Sequence, residues 1–184
     1  MSKTVKQRKL LNFFLAGIAV LLLGFSFIYI LKIFFHTDPG ILIKTTFYKF
    51  HEPKFVKEGE LTFLSEKTVE KIVQIDIEIA ETSVDMGIGL MFRRSMPEKA
   101  GMLFIYQRPH PMAFFMRNTY IPLDIIFVDE NGQILSIHKV TKTLSDELIP
   151  SYKATKYVVE VNAGFCEKYG VAAGDYIDFM KLST

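Results

Sequence analysis

Residues 101–129, GMLFIYQRPHPMAFFMRNTYIPLDIIFVD, decide how the chain folds. Two apolar runs in this stretch, 102–106 and 125–128, are rich in β-branched and aromatic residues and too short to stand as helices, which predicts buried strands. Between the runs, Gln107, Arg108, His110, Arg117, Asn118, Thr119 and Asp124 are interleaved with Met112, Phe114, Phe115 and Met116. Pro109 and Pro111 bar a helix at the front of this insert, while Pro122 fixes its own φ and drives Ile121 toward an extended conformation. The polar groups are therefore expected on strand ends and turns.

The same period continues outward. Val73, Ile75, Ile77 and Ile79 alternate with Gln74, Asp76 and Glu78, a half-buried strand with its polar residues on the other face. Asp129-Glu130-Asn131-Gly132 is a hairpin turn, with Asn-Gly tolerating positive φ, and makes 124–128 and 133–140 antiparallel neighbours. Shorter strands are expected at 61–64, 157–161 and 176–179, with a helical turn at 164–169. Gly87 and Gly89 interrupt the strand pattern in 82–96, where a turn and one short helix are expected. No long helices alternate with the strands to make parallel crossovers. The predicted class is mainly β: a compact sandwich or barrel-like sandwich with short helical inserts.

Upstream, residues 10–31 carry no charge and would reach about 33 Å as a helix, enough for a bilayer core. The run is too long for a cleaved secretory signal and lacks a small-x-small cleavage site, so an uncleaved signal anchor is expected. Lys3, Lys6, Arg8 and Lys9 hold the short N-terminal side in the cytoplasm. The expected organisation is a cytoplasmic tail (1–9), a single-pass transmembrane anchor (10–35), a stalk (36–60), of which Phe55 and Val56 could pack on the domain as a flap, and an extracytoplasmic β-domain (61–184).

From residue 61 onward there are 16 acidic against 13 basic residues, a balance near −3, so the overall charge of +2 belongs to the anchor and its flank. Nucleic acid is not an expected partner of such a domain. A lone Cys166 cannot form an internal disulfide or a multi-cysteine zinc site, and reads as a small buried hydrophobe on a helical turn. Walker, HExxH and GxSxG motifs are lacking, and Gly87-Ile88-Gly89 is missing the third glycine of a dinucleotide site. His110 and His138 lack metal-ligand spacing, so neither a metal nor another cofactor is expected.

The candidate ligand-binding residues are Arg93, Arg117, Asn118, Thr119, Asp124 and Glu160. Turn chemistry accounts for Asn118, Thr119 and Asp124 without a ligand. The functional alternative gathers Arg117, Asn118, Thr119 and Asp124 around a small polar ligand, with Phe114 and Phe115 as an apolar wall. Arg93 and Arg94 could fork an anion, or one arginine could clamp Asp124 or Glu160. Glu160, between Val159 and Val161, must be paired, or have its ionised form disfavoured, if both sheet faces are covered.

The ordered set Gly89-Leu90-Met91-x-Arg93, then 101–104 (GMLF), 114–127 (FFMRNTYIPLDIIF), 157–164 (YVVEVNAG) and Gly174-Asp175 resembles the domain-of-unknown-function family numbered 192. The resemblance covers about 53–184. It implies a compact mainly-β domain, often exported or tethered, and implies no reaction. Phe115 stands where members of the family typically have Trp, and Arg117 where they have Lys. Three functions remain open: a binding or interaction module of the cell envelope, a hydrolase-type enzyme using Asp124 and Glu160 with Arg93 or Arg117, and an assembly scaffold with an exposed apolar patch. The corresponding partners are the membrane and either a small polar ligand or an envelope protein.

Overall fold

The computed structural model describes residues 38–183. The expected anchor at 10–35 lies outside them, and among the described residues no helix is long and apolar enough to cross a membrane. The chain divides into Met1–Ile43 and Lys44–Thr184, and the fold described is that of the second unit.

The architecture is mainly β. Strands β1 (Gly59–Leu64), β2 (Lys71–Ala80), β3 (Ala100–His110), β5 (Leu123–Val128), β6 (Ile134–His138), β8 (Thr155–Asn162) and β9 (Tyr176–Lys181) form one seven-stranded sheet, ordered β6-β5-β8-β3-β2-β1-β9. A two-residue ribbon pairs β4 (Ala113–Phe114) with β7 (Ile149–Pro150). The helices are α1 (Pro39–Phe50), α2 (Ser83–Ile88) and α3 (Phe165–Tyr169). The sheet is not a closed barrel, nor are there two large facing sheets. It rolls until its edge strands meet at one end, where Gln133 bridges Tyr176 and Ile134 N–H donates to Asp175 O at 2.8 Å.

Alternation along the strands gives the roll two apolar faces. Leu61, Phe63, Ile75, Leu103, Ile126, Val159 and Ile177 pack inside it with Phe165 and Cys166 from α3. Met102, Phe104, Ile125, Phe127 and Val158 point outward. That outer face is buried because the connection from β2 to β3 lays Leu90 and Met96 over it, and the segment before β5 adds Met116 and Ile121. Each such large side chain removed from water contributes about 1.5–3 kcal/mol.

The hairpin expected at 129–132 forms. Asp129 Oδ1 accepts from Asn131 N–H (2.8 Å) and Gln133 N–H (2.9 Å), and Gly132 takes the positive φ of 84° that a side chain would oppose. Cys166 is buried and free on α3, as read from the sequence.

Two expectations change. β2 and β3 are parallel, joined by a crossover containing only the six-residue α2, so the absence of long helices did not exclude a parallel pair. β3 continues past Tyr106 through Pro109, with its ladder irregular between Ile105 and His110, where a missing N–H is tolerated. Within the stretch read as a stalk, the described residues 38–60 include a helix and hydrogen bonds to β2. Asp38 Oδ1 accepts from Gly40 N–H at 2.7 Å, starting α1 with proline at its first position. Farther on, Val56 N–H donates to Glu78 Oε1 at 3.0 Å and Ile79 N–H to Glu58 Oε2 at 2.6 Å.

Candidate functional site

Register places a row of side chains across the outer face. Glu78 on β2 is opposite Met102 on β3, Met102 opposite Glu160 on β8, and Glu160 opposite Ile125 on β5. Two carboxyl groups thus flank one methionine under the crossover. Glu78 was expected on a solvent face but is 6% exposed, because the crossover covers this side of the sheet. Arg93 descends from the crossover and is 4% exposed, with Nη2 at 2.6 Å from Glu78 Oε2. The approach is a charge contact without an aligned N–H, since Glu78 Oε2 and Arg93 Nε and Nη1 are buried with no hydrogen-bond partner.

Glu160 is 5% exposed. Burial pushes its carboxyl up to about 8, and the Arg93 charge opposes that shift without cancelling it. No hydrogen bond stabilises its ionised form. The carboxyl lines a cavity of about 90 Å³ together with Phe104, Tyr106, Phe114, Phe115 and the turn Gly87–Leu90. Burial, with Glu160 as a lesser cause, raises the Tyr106 phenol to about 12.

Gly89 makes the roof possible. It has a φ of 49°, and a Cβ there would lie 3.1 Å from Phe104 Cζ and 3.8 Å from Glu160 Oε2. Any side chain would meet strain and begin to fill the space over the acid. The cavity is small beside the 300–1,000 Å³ or so of drug-sized sites, so it fits the end of a ligand or a very small one.

Asp124 has the opposite environment. It is opposite Val161, on the inner face, whereas Glu160 faces outward. Its Oδ1 accepts from Val140 N–H (2.9 Å) and Gly164 N–H (3.2 Å), and its Oδ2 from Cys166 N–H (3.0 Å). This fully buried carboxylate ties the end of β6 and the start of α3 to β5. Beside it, the Cys166 thiol is pushed up by burial and then by Asp124, which leaves it unreactive. The expected acid–base couple of Asp124 and Glu160 is not assembled, because the sheet separates the two groups.

A family model described as "Uncharacterized ACR" (DUF192) matches residues 64–179, which includes every strand of the cavity wall. The chain belongs to the DUF192 family. Its DUF192 domain is similar to a solved Sinorhizobium meliloti protein described as a "putative transcription regulator", with 30% identity and a TM-score of 0.64 over 69% of this chain and 98% of that one. It is also similar to a Novosphingobium aromaticivorans protein of unknown function, with 32% identity and a TM-score of 0.61 over 65% and 83% of the two chains. No curated protein matches the chain.

Of the six candidate residues of the DUF192 domain, Thr119 and Glu160 line the cavity. Arg93 acts on Glu160 electrostatically from an adjoining depression of about 440 Å³. Arg117 lies at the surface, paired with Asp146 at 2.6 Å and 5.0 Å above the Phe115 ring. Asn118 shapes a turn, with φ at 56° and its carbonyl accepting from Phe92 N–H at 2.8 Å. Thr119 N–H donates to Met116 O at 3.1 Å and its carbonyl accepts from Leu144 N–H at 3.2 Å. Arg117, Asn118 and Asp124 therefore hold up or flank the site rather than line it.

Phe114 and Phe115 line the cavity, but of the four polar residues they were expected to face only Thr119 lines it with them. Glu78, Gly89, Phe104 and Tyr106 were not among the candidate ligand-binding residues, and Gly89 was read only as a break in the strand pattern and as part of the family resemblance. Among the described residues no cluster of His, Cys, Asp or Glu could hold a metal ion.

Proposed function

We propose that this protein is a single-pass, membrane-anchored module, N-terminus in the cytoplasm, whose extracytoplasmic β-domain binds a small polar ligand in the Glu160 cavity. One observation carries the reading. Glu160 is a buried acid with no hydrogen-bond donor supplied for its ionised form, facing a space that a ligand end would fill. Among the described residues no side-chain or backbone donor reaches this carboxyl, and an acid whose ionised form burial disfavours at a cavity wall is a candidate ligand contact.

A binding role also accords with the separation of Asp124 from Glu160, which removes the second carboxyl that hydrolysis would call on. Ligand-observed NMR with a panel of small polar fragments tests the cavity. Binders should compete at one site and be lost in Ala113→Trp, which sets an indole in the cavity wall. No binder, or binders indifferent to that substitution, would overturn the reading. For the topology, a phosphatase reporter fused after Thr184 should be active outside the cytoplasm, and activity inside alone would refute the anchor.

Exposed Val140, Leu144, Leu148 and Tyr152 favour a second reading, contact with an envelope protein through the excursion between β6 and β8. Leu144→Ser with Leu148→Ser should then abolish cross-linking to that protein in intact cells while leaving fragment binding unchanged. Unchanged cross-linking would remove this reading.

A further inference from the structure

We propose that the ligand end seated in the cavity is a short alkylammonium, its N–H groups on the Glu160 carboxylate and its carbon stem against aromatic rings. The inference rests on the binding reading above and specifies the class of ligand.

Charge decides first. No Lys, Arg or His lines the cavity, and its one ionisable acid is Glu160, apart from the Tyr106 phenol, which stays protonated. The nearest cations lie outside the cavity: Arg93 lines the adjoining depression with its charge against Glu78 at 2.6 Å and its Nε and Nη1 unpartnered, and Arg117 has Asp146 at 2.6 Å. An anion would enter a space with no counter-charge and face Glu160. A cation would supply the donors that the protein withholds, and a charge-assisted hydrogen bond is roughly twice as strong as a neutral one.

The walls point the same way. Phe104 and Phe114 meet edge to face with centroids 5.0 Å apart, and Tyr106 and Phe115 extend the aromatic lining. Ring faces attract cations by their quadrupole, and the attraction grows when the site is dry. Phe115 already has a guanidinium 5.0 Å from its centroid, that of Arg117. Methionines at 86 and 91 and the backbone of the Gly87–Leu90 turn complete an apolar sleeve.

Size sets the limit. A space of about 90 Å³ admits a head and a few carbons, so a bulky cation is excluded. When the ammonium binds to protonated Glu160, the acid proton leaves to solvent and the ligand N–H groups take its place on the carboxylate.

The test compares three probes with the same carbon stem on the full chain in detergent micelles, in amine-free phosphate at pH 8. These are n-butylammonium, n-butanol and n-butyrate, followed by ligand-observed NMR. The expected result is about ten-fold tighter binding of n-butylammonium than of either other probe, the margin between charged and neutral hydrogen bonds. Glu160→Gln, which keeps shape and removes the charge, should abolish that preference. Equal binding of n-butanol or n-butyrate overturns the ammonium assignment alone, provided that the binding is still lost in Ala113→Trp. Absence of cavity binding by all three overturns the assignment and the binding reading together. The wild-type comparison stands even if Glu160→Gln does not fold.

Discussion

Asp124 and Glu160 are two buried acids on neighbouring strands, and they were treated in opposite ways. Asp124, on the inner face, receives three backbone N–H groups from three separate residues. Glu160, on the outer face, receives none, and burial holds its proton on to about pH 8. Burial is comparable at the two positions, so burial does not set the role of a carboxyl group. The supply of donors does. Where donors converge, the acid is a structural joint; where they are withheld beside a cavity, it is left for something that enters.

Substitutions can break this contrast in order of size. Asp124→Ala should be the most damaging, since it orphans three N–H groups, two of them on the residues that start α3. A loss of about 3–6 kcal/mol is expected in denaturant unfolding, with Asp124→Asn intermediate. A loss under about 1 kcal/mol would mean that the joint is dispensable.

Arg93→Met comes next. It leaves Glu78 without its charge partner and removes the cation that restrains Glu160, at a cost of about 3–5 kcal/mol. Adding Glu78→Gln should recover a good part of that loss. If the double variant is as unstable as the single one, Arg93 acts by packing instead of charge.

Glu160→Gln should go the other way. Between about pH 4.5 and 8 the unfolded chain has released this proton while the folded protein keeps it. The folded state therefore binds more protons, and wild-type stability falls as pH rises through that window by up to about 1.4 kcal/mol per unit. Above pH 8 the contribution is flat. The glutamine variant should lack this slope and overtake the wild type in stability as pH rises. Parallel stability curves for the two proteins would contradict an unpaired Glu160.

Arg117→Ala should matter least. Its ion pair with Asp146 is exposed on both sides, and such pairs contribute on the order of 0–1 kcal/mol.

Much of the fold was legible because strand periodicity and turn chemistry are local. The alternation of β2, the run of β5 and the Asp129–Gly132 turn each needed only a short window of sequence. The separation of Asp124 from Glu160 was not legible, because it depends on register. Asp124 is opposite Val161; a slip of one residue would have put it opposite Glu160 and on the same face. No local pattern fixes that slip.

The burial of Glu78 was hidden for a related reason. Its alternation looked half-exposed until the crossover folded over it, and that crossover also made the unexpected parallel pair of β2 and β3. By contrast, α1 had a readable start. Asp38-Pro39 is a cap followed by a first-turn proline, although the stretch was read as a stalk.

The most direct test of the account is a carbon-13 NMR titration of the Glu160 side-chain carboxyl in the folded protein. The unpaired acid predicts a midpoint of about 8. A midpoint at the ordinary glutamate value of 4.5 would show that the group is solvated or paired, and would contradict the account.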